Sequence, residues 1–214
     1  MPAPKTPRTG PPEAPHPTSL TMAREEAAHC RRCDLWRHAT QTVFGEGRRK
    51  ALLMLVGEQP GDVEDKAGEP FVGPAGQLLR EALSEAGIPL PDVYLTNAVK
   101  HFKWEPRGKR RIHAKPNRTE VLACRVWLES EVRFVQPRGI VALGATAAAS
   151  MLGASVRVTR DRAKPLVSTL APFVTVTVHP SSILRAPDSE ARAAARAQFV
   201  ADLRAIARQV IKAG

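Results

Sequence analysis

The sequence predicts an α/β protein, a three-layer αβα sandwich around a central, mostly parallel four-stranded sheet. Three observations carry that prediction. Four short runs, 51–56, 93–99, 139–144 and 174–178, read as strands, the first of them brief, continuous and apolar as a strand covered on both faces is. Segments with apolar residues at helical spacing alternate with them, which implies parallel strands joined by helical crossovers. At 214 residues and 43% apolar content, the chain is long enough for one core and cramped for two.

Residues 1–18 are rich in proline and offer nothing to bury, so a disordered tail is expected before a single domain spanning 19–214. A short helix is expected from Ser19 through Glu25 and Glu26, running into Cys30-Arg31-Arg32-Cys33. The first strand, Ala51 to Val56, ends at Gly57-Glu58-Gln59-Pro60-Gly61-Asp62. The chain then runs through Glu64-Asp65 to Phe71-Val72-Gly73-Pro74-Ala75-Gly76, which reads as an acidic loop with an apolar interruption. The helix after it, 77–86, shows Leu78, Leu79 and Leu83 at helical spacing, with Pro74 suited to a first turn and Gly87 to a C-terminal cap.

The second strand, Val93 to Val99, carries Asn97 near its end. Lys100, Lys103, Arg107, Lys109, Arg110, Arg111, Lys115 and Arg118 follow, crowding a segment that contains Gly108, two prolines and His113. It reads as a basic loop suited to phosphate contacts. A helix over 119–135 carries Cys124, and a small-residue helix over 145–152 follows the third strand. The fourth strand ends in His179-Pro180-Ser181-Ser182-Ile183-Leu184-Arg185, after which Asp188 is placed to cap a long helix over 189–211. Three strands therefore deliver Glu58 to Asp62, Asn97 and His179 toward one edge, where ligands sit in open α/β sheets.

A formal charge of +11 and a pI near 10.3 point to a polyanionic partner. No apolar run approaches transmembrane length and no basic amphipathic helix stands out, so nucleic acid is preferred to a membrane. The N-terminus lacks a signal-peptide core, which makes the cytoplasm the default compartment, and a monomer is the default assembly. Three cysteines, two of them in a CxxC pair, suggest metal or thiol chemistry in a reducing compartment. Neither a dinucleotide fingerprint nor a Walker loop is present.

Gly57-Glu58-Gln59-Pro60-Gly61 resembles the first catalytic motif of the uracil-DNA glycosylase superfamily, and His179-Pro180-Ser181-Ser182 resembles the second. Together they carry a resemblance to its iron–sulfur branch that runs from about Cys30 to the final helix. Within that branch, Gln59, His101 and Lys109-Arg110-Arg111-Ile112-His113 look like the UdgX subfamily, whereas family 4 enzymes place a cysteine where this chain has His101. The resemblance implies the uracil-DNA glycosylase fold and an enzyme that excises uracil from DNA, including single-stranded DNA. It also implies that the enzyme then stays covalently attached to the sugar through His113.

Cleaving the N1–C1′ bond of deoxyuridine leaves an oxocarbenium-like sugar and a uracil anion, so the site needs negative charge near the sugar and donors at the uracil oxygens. By resemblance, His179 donates to uracil O2, with backbone N–H groups of the Gly57–Gln59 turn assisting. Asn97 matches the O4 and N3–H edge, and Phe71 stacks on the flipped base. Glu58 favours the cationic sugar and orients His113, Asp62 supports the loop or a water, and Arg185 with Lys109, Arg110 and Arg111 holds phosphates. Each residue also has an ordinary reading: a capping histidine, a turn asparagine, a core phenylalanine and, for His113, a phosphate contact. Convergence of the first three on one sheet edge favours their functional reading, and for His113 it is the subfamily resemblance that does so.

Cys30, Cys33, His101 and Cys124 make a four-donor set that by resemblance binds a [4Fe–4S] cluster. Three cysteines and a histidine suit structural zinc equally well. Two further readings stand beside covalent capture: a turnover glycosylase of the family 4 type, and a non-catalytic iron–sulfur DNA-binding module.

Overall fold

The computed structural model describes residues 15–153 and 155–212, so most of the expected N-terminal tail lies outside the described residues. The sheet consists of β1 (Leu53–Gly57), β2 (Val93–Asn97), β5 (Gly139–Leu143) and β6 (Phe173–Thr177), all parallel, in the order β2-β1-β5-β6. Every residue of these strands is buried, Thr96, Asn97, Thr175 and Thr177 included, as in a sheet covered on both faces.

Successive side chains still go to opposite faces. Leu53, Leu55, Val93, Leu95, Val141 and Leu143 pack against α3 (Pro74–Glu85) and α8 (Ser189–Lys212), whose Leu79, Leu83, Phe199, Leu203 and Ile206 fill that layer. Met54, Val56, Tyr94, Ile140 and Val174 face Leu128 and Val135 of α4 (Arg118–Val135), with Met151 and Leu152 of α5 (Ala145–Leu152) alongside. The three-layer expectation is thus met, with α5 where the sequence places it. α1 (Leu20–Ala28) packs on α4 through Ala23 and Ala27, and the Ser19 hydroxyl accepts the Met22 N–H at 3.1 Å at its start. Asn117 and Glu120 form a reciprocal capping box at the head of α4, and Asp188 caps α8 through the Ala191 N–H at 2.7 Å.

Two segments read as loops are ordered elements. Residues Asp62–Ala67 form helix α2, because Glu64 and Asp65 are buried and hydrogen-bonded rather than solvated. The basic segment is an antiparallel hairpin of β3 (Trp104–Arg107) and β4 (Arg110–His113), turning at Gly108, whose φ is +59°. It stands apart from the main sheet. Between α5 and β6 lies α6 (Val158–Asp161), and after β6 comes α7 (Pro180–Leu184). Among the described residues no helix is long and apolar enough to cross a membrane.

Candidate active site

Because the four strands are parallel, their carboxyl ends open on one side, and a cavity of about 960 Å³ lies there. Glu58, Gln59, Phe71, Asn97, His113, His179 and Arg185 all line it. The end of β5 contributes a wall absent from the sequence reading: Leu143, Gly144, Ala145 and Thr146. The rule of strand ends, applied to the third strand as it was to the others, would have found it.

Gly57 closes β1 beside Asn97, and a Cβ at Gly57 would collide with the Asn97 amide oxygen and the Phe71 ring. Its bare backbone lets both side chains reach the pocket floor. Phe71 adopts a φ of +57°, a conformation uncommon for an aromatic residue, and Gly76 leaves the room it needs. Its ring lies 6.2 Å from that of His179, the planes 29° apart, so the two rings form one end of the cavity. Glu64 fixes the shape of this turn, accepting the Gly73 N–H at 2.9 Å and the Gly61 N–H at 3.2 Å.

His179 caps α7. Its Nδ1 accepts the Ser181 main-chain N–H at 3.1 Å, and a main-chain N–H can only donate. The ring proton of the neutral imidazole therefore sits on Nε2, available to an acceptor in the cavity. Burial, with Arg185 and His113 nearby, pushes this imidazole down to about 4, so it is neutral at physiological pH.

His113 ends β4, half exposed, with Nε2 at 3.5 Å from Glu58 Oε1 and its ring against Phe102. The hairpin that carries it is tied to the first motif by Gln59. The Gln59 amide nitrogen donates to the carbonyls of Lys103 and Ala114, each at 3.1 Å, and its oxygen accepts the Lys103 N–H at 3.1 Å. Gln59 thus borders the cavity, but its side chain is committed to the base of the hairpin.

Arg111 is placed differently from its sequence reading as a phosphate contact. Its guanidinium bonds Asp62 at 2.5 Å and Asp65 at 2.7 Å and lies over the rings of Phe102 and Trp104. Asp62 does not line the cavity. Lys66 and Arg111 engage its carboxyl and hold it below the usual carboxylate range, so it braces the hairpin from outside. Lys109 and Arg110 are exposed near the turn.

None of the cysteine–histidine set lines the large cavity. Cys30 and Cys124 are buried in one cluster with Trp127 and partly buried Cys33 beside them. Trp127 Nε1 donates to Cys30 Sγ and the Lys100 N–H to Cys124 Sγ, both at 3.2 Å. Thr42 gives its hydroxyl proton to the Ala27 carbonyl, so it accepts from His101 Nε2–H at 2.9 Å. That tautomer leaves the His101 Nδ1 lone pair buried and, among the described residues, without a partner, next to a cavity of about 300 Å³ that Cys30 also lines. Soft sulfur donors and a bare imidazole nitrogen fit a thiophilic metal group. Among the described residues no three such side chains already stand at metal-holding spacing.

Residues 44–204 match the family model described as the uracil DNA glycosylase superfamily. The chain belongs to the uracil DNA glycosylase superfamily. It is 37% identical over 195 residues to the type-4 uracil-DNA glycosylase of Pyrobaculum aerophilum, covering 86% of this chain and 91% of that one. The type-4 uracil-DNA glycosylase of Thermotoga maritima is 38% identical over 174 residues, 81% of this chain and 87% of its own. A type-5 uracil-DNA glycosylase of P. aerophilum is 31% identical over 140 residues, 58% of each chain. The superfamily match spans every strand of the sheet and every residue named above in the large cavity.

Proposed function

We propose that this protein excises uracil from DNA and then captures the resulting sugar through His113. The observation that carries the second half is the placement of His113, at 3.5 Å from Glu58, in the same cavity as His179 and Asn97. The flipped uracil stacks on Phe71 and meets the Asn97 amide along its O4 and N3–H edge. Neutral His179 offers its Nε2 proton to O2 as charge develops there. Glu58 carries the negative charge that favours the oxocarbenium-like sugar.

As the N1–C1′ bond breaks, its electrons leave with the uracil anion. An imidazole nitrogen of His113 then gives its lone pair to C1′, forming a C–N bond. The imidazolium that results lies beside the Glu58 carboxylate and returns to neutrality by losing its remaining N–H proton to solvent. Proximity in a shared cavity gives the imidazole its advantage over water.

Cys30, Cys33, His101 and Cys124 are assigned to a [4Fe–4S] cluster, with zinc as the alternative the same donors serve. A bound group would cross-link the N-terminal segment to residues 98–101 and to α4. Iron and sulfide content of anaerobically purified protein distinguishes the two, and a colourless zinc-loaded preparation would defeat the cluster. The partner is uracil-containing DNA, single strands included.

The second reading is a turnover glycosylase, favoured by the similarity to type-4 uracil-DNA glycosylases. A denaturing gel of the protein with a uracil-containing single-stranded oligonucleotide, beside a thymine control, decides between them. Capture predicts a uracil-dependent band that survives heat and detergent. Strand scission by alkali at the uracil position without that band would establish turnover.

A further inference from the structure

Lys100 is fully buried, and nothing in the excision chemistry uses it. Its Nζ donates to Glu131 Oε2 and Thr96 Oγ1, each at 2.6 Å, and to the main-chain oxygen of Asn97 at 2.8 Å. Those bonds occupy the full set of donors an ammonium has. Glu131, equally buried, also accepts from the Gly45 N–H at 2.7 Å and from the Thr96 hydroxyl at 2.8 Å. A buried ion pair is poor support for stability in itself, since apolar replacements of like volume often do as well. What distinguishes this pair is where its third bond goes.

Asn97 ends β2, and its amide lies over the bare backbone of Gly57. The next two residues are fastened to the first motif: the Ala98 N–H donates to Gly57 O at 2.9 Å and the Val99 N–H to Glu58 O at 3.0 Å. The main chain at Asn97 is therefore held on one side by the motif and on the other by Lys100. Its side chain is the only group on β2 that lines the large cavity.

We propose that Lys100, backed by Glu131, is a positioning residue for base recognition, fixing the Asn97 main chain so that its amide meets the O4 and N3–H edge of uracil. This rests on the uracil-excision reading for its substrate, but the positioning itself is observable without DNA.

The test uses Lys100→Met/Glu131→Leu, which removes both charges together and leaves no lone charge buried. In ¹⁵N-labelled protein, the Asn97 side-chain amide signals are identified by their loss in Asn97→Ala. They are expected to move in the double variant, and unmoved signals would overturn the proposal. In single-turnover uracil release, the double variant is expected to be about tenfold slower than wild type, the size of one lost hydrogen bond. It should add no further loss when Asn97→Ala is already present. Losses that multiply, or a wild-type rate in the double variant, would overturn the proposal. A wild-type protein that releases no uracil while the Asn97 signals still move would defeat the excision reading and leave the positioning pair standing.

Discussion

One wall of the cavity is built from the ends of the sheet, the other from a ribbon that stands outside it. Gly57, Asn97, Gly144 and His179 sit at or just beyond strands that are buried on both faces, so their positions follow from the core. His113 sits on a two-stranded hairpin with mostly exposed residues. An isolated hairpin is marginal in water. This one is held by Gln59 at its base, by Arg111 against Asp62 and Asp65, and by stacking of Arg111 on Phe102 and Trp104. In the proposed reaction, base excision rests on the wall built from strand ends and sugar capture on the appended one, and the two steps should be separable by mutation.

The largest effect expected from that division is all-or-none. His113→Ser should abolish the heat-stable protein–DNA band and leave uracil release, which alkaline cleavage of the strand reports. His179→Gln should slow release by about 100-fold or more, as loss of an oxyanion-type donor does, and capture can only follow at that slower rate. A His113→Ser variant that still forms the band would place the nucleophile elsewhere.

Gln59→Ala probes the clamp and should be intermediate. It removes three bonds between the first motif and the hairpin without touching the sheet. The band should then form about tenfold more slowly, because a loosened imidazole loses part of its proximity advantage, while uracil release changes little. Equal losses in both steps would mean that the hairpin also serves the wall built from strand ends.

A smaller effect probes His179 by pH. His179 is held neutral in the folded protein with a pKa of about 4, against the ordinary value of 6.5 that the unfolded chain regains. Between those values the unfolded chain binds a proton that the native protein does not. Stability therefore falls as pH drops from about 6.5 to about 4, by about 2 kcal/mol after allowing for the partial exposure of the ring. His179→Gln should flatten that acid limb in denaturant titrations. An unchanged slope would mean that His179 is not held neutral by its surroundings.

The wall built from strand ends was far more legible in the sequence than the appended one. Short, largely apolar runs specify doubly covered strands whatever else the chain does, and their carboxyl ends then share an edge. The same local signals mislead where partners come from far along the chain. Glu64 and Asp65 look solvated between glycines, yet Asp65 is buried by Thr40 and Arg111, 25 and 46 residues away. Pro106 and the surrounding charges hide the hairpin's alternation, and Gly108 is the one local hint of its turn. The Lys100–Glu131 pair spans 31 residues and has no local signature at all.

The smallest expected effect tests whether basic residues of one short run, 109–111, do different jobs. Lys109 and Arg110 are exposed, while the Arg111 side chain is 19% exposed and bound to a fully buried Asp65. Non-covalent affinity can be followed with His113→Ser on a thymine-containing strand that the enzyme does not cleave. Its logarithm should fall linearly with log salt, and each phosphate contact removed should flatten the slope by about 1. Lys109→Ala and Arg110→Ala are expected to do so at unchanged melting temperature. Arg111→Ala should instead leave the slope intact and lower the melting temperature, because it strands the Asp65 carboxylate in the interior. A flattened slope at constant stability for Arg111→Ala would return that residue to the DNA surface and leave the hairpin without its main brace.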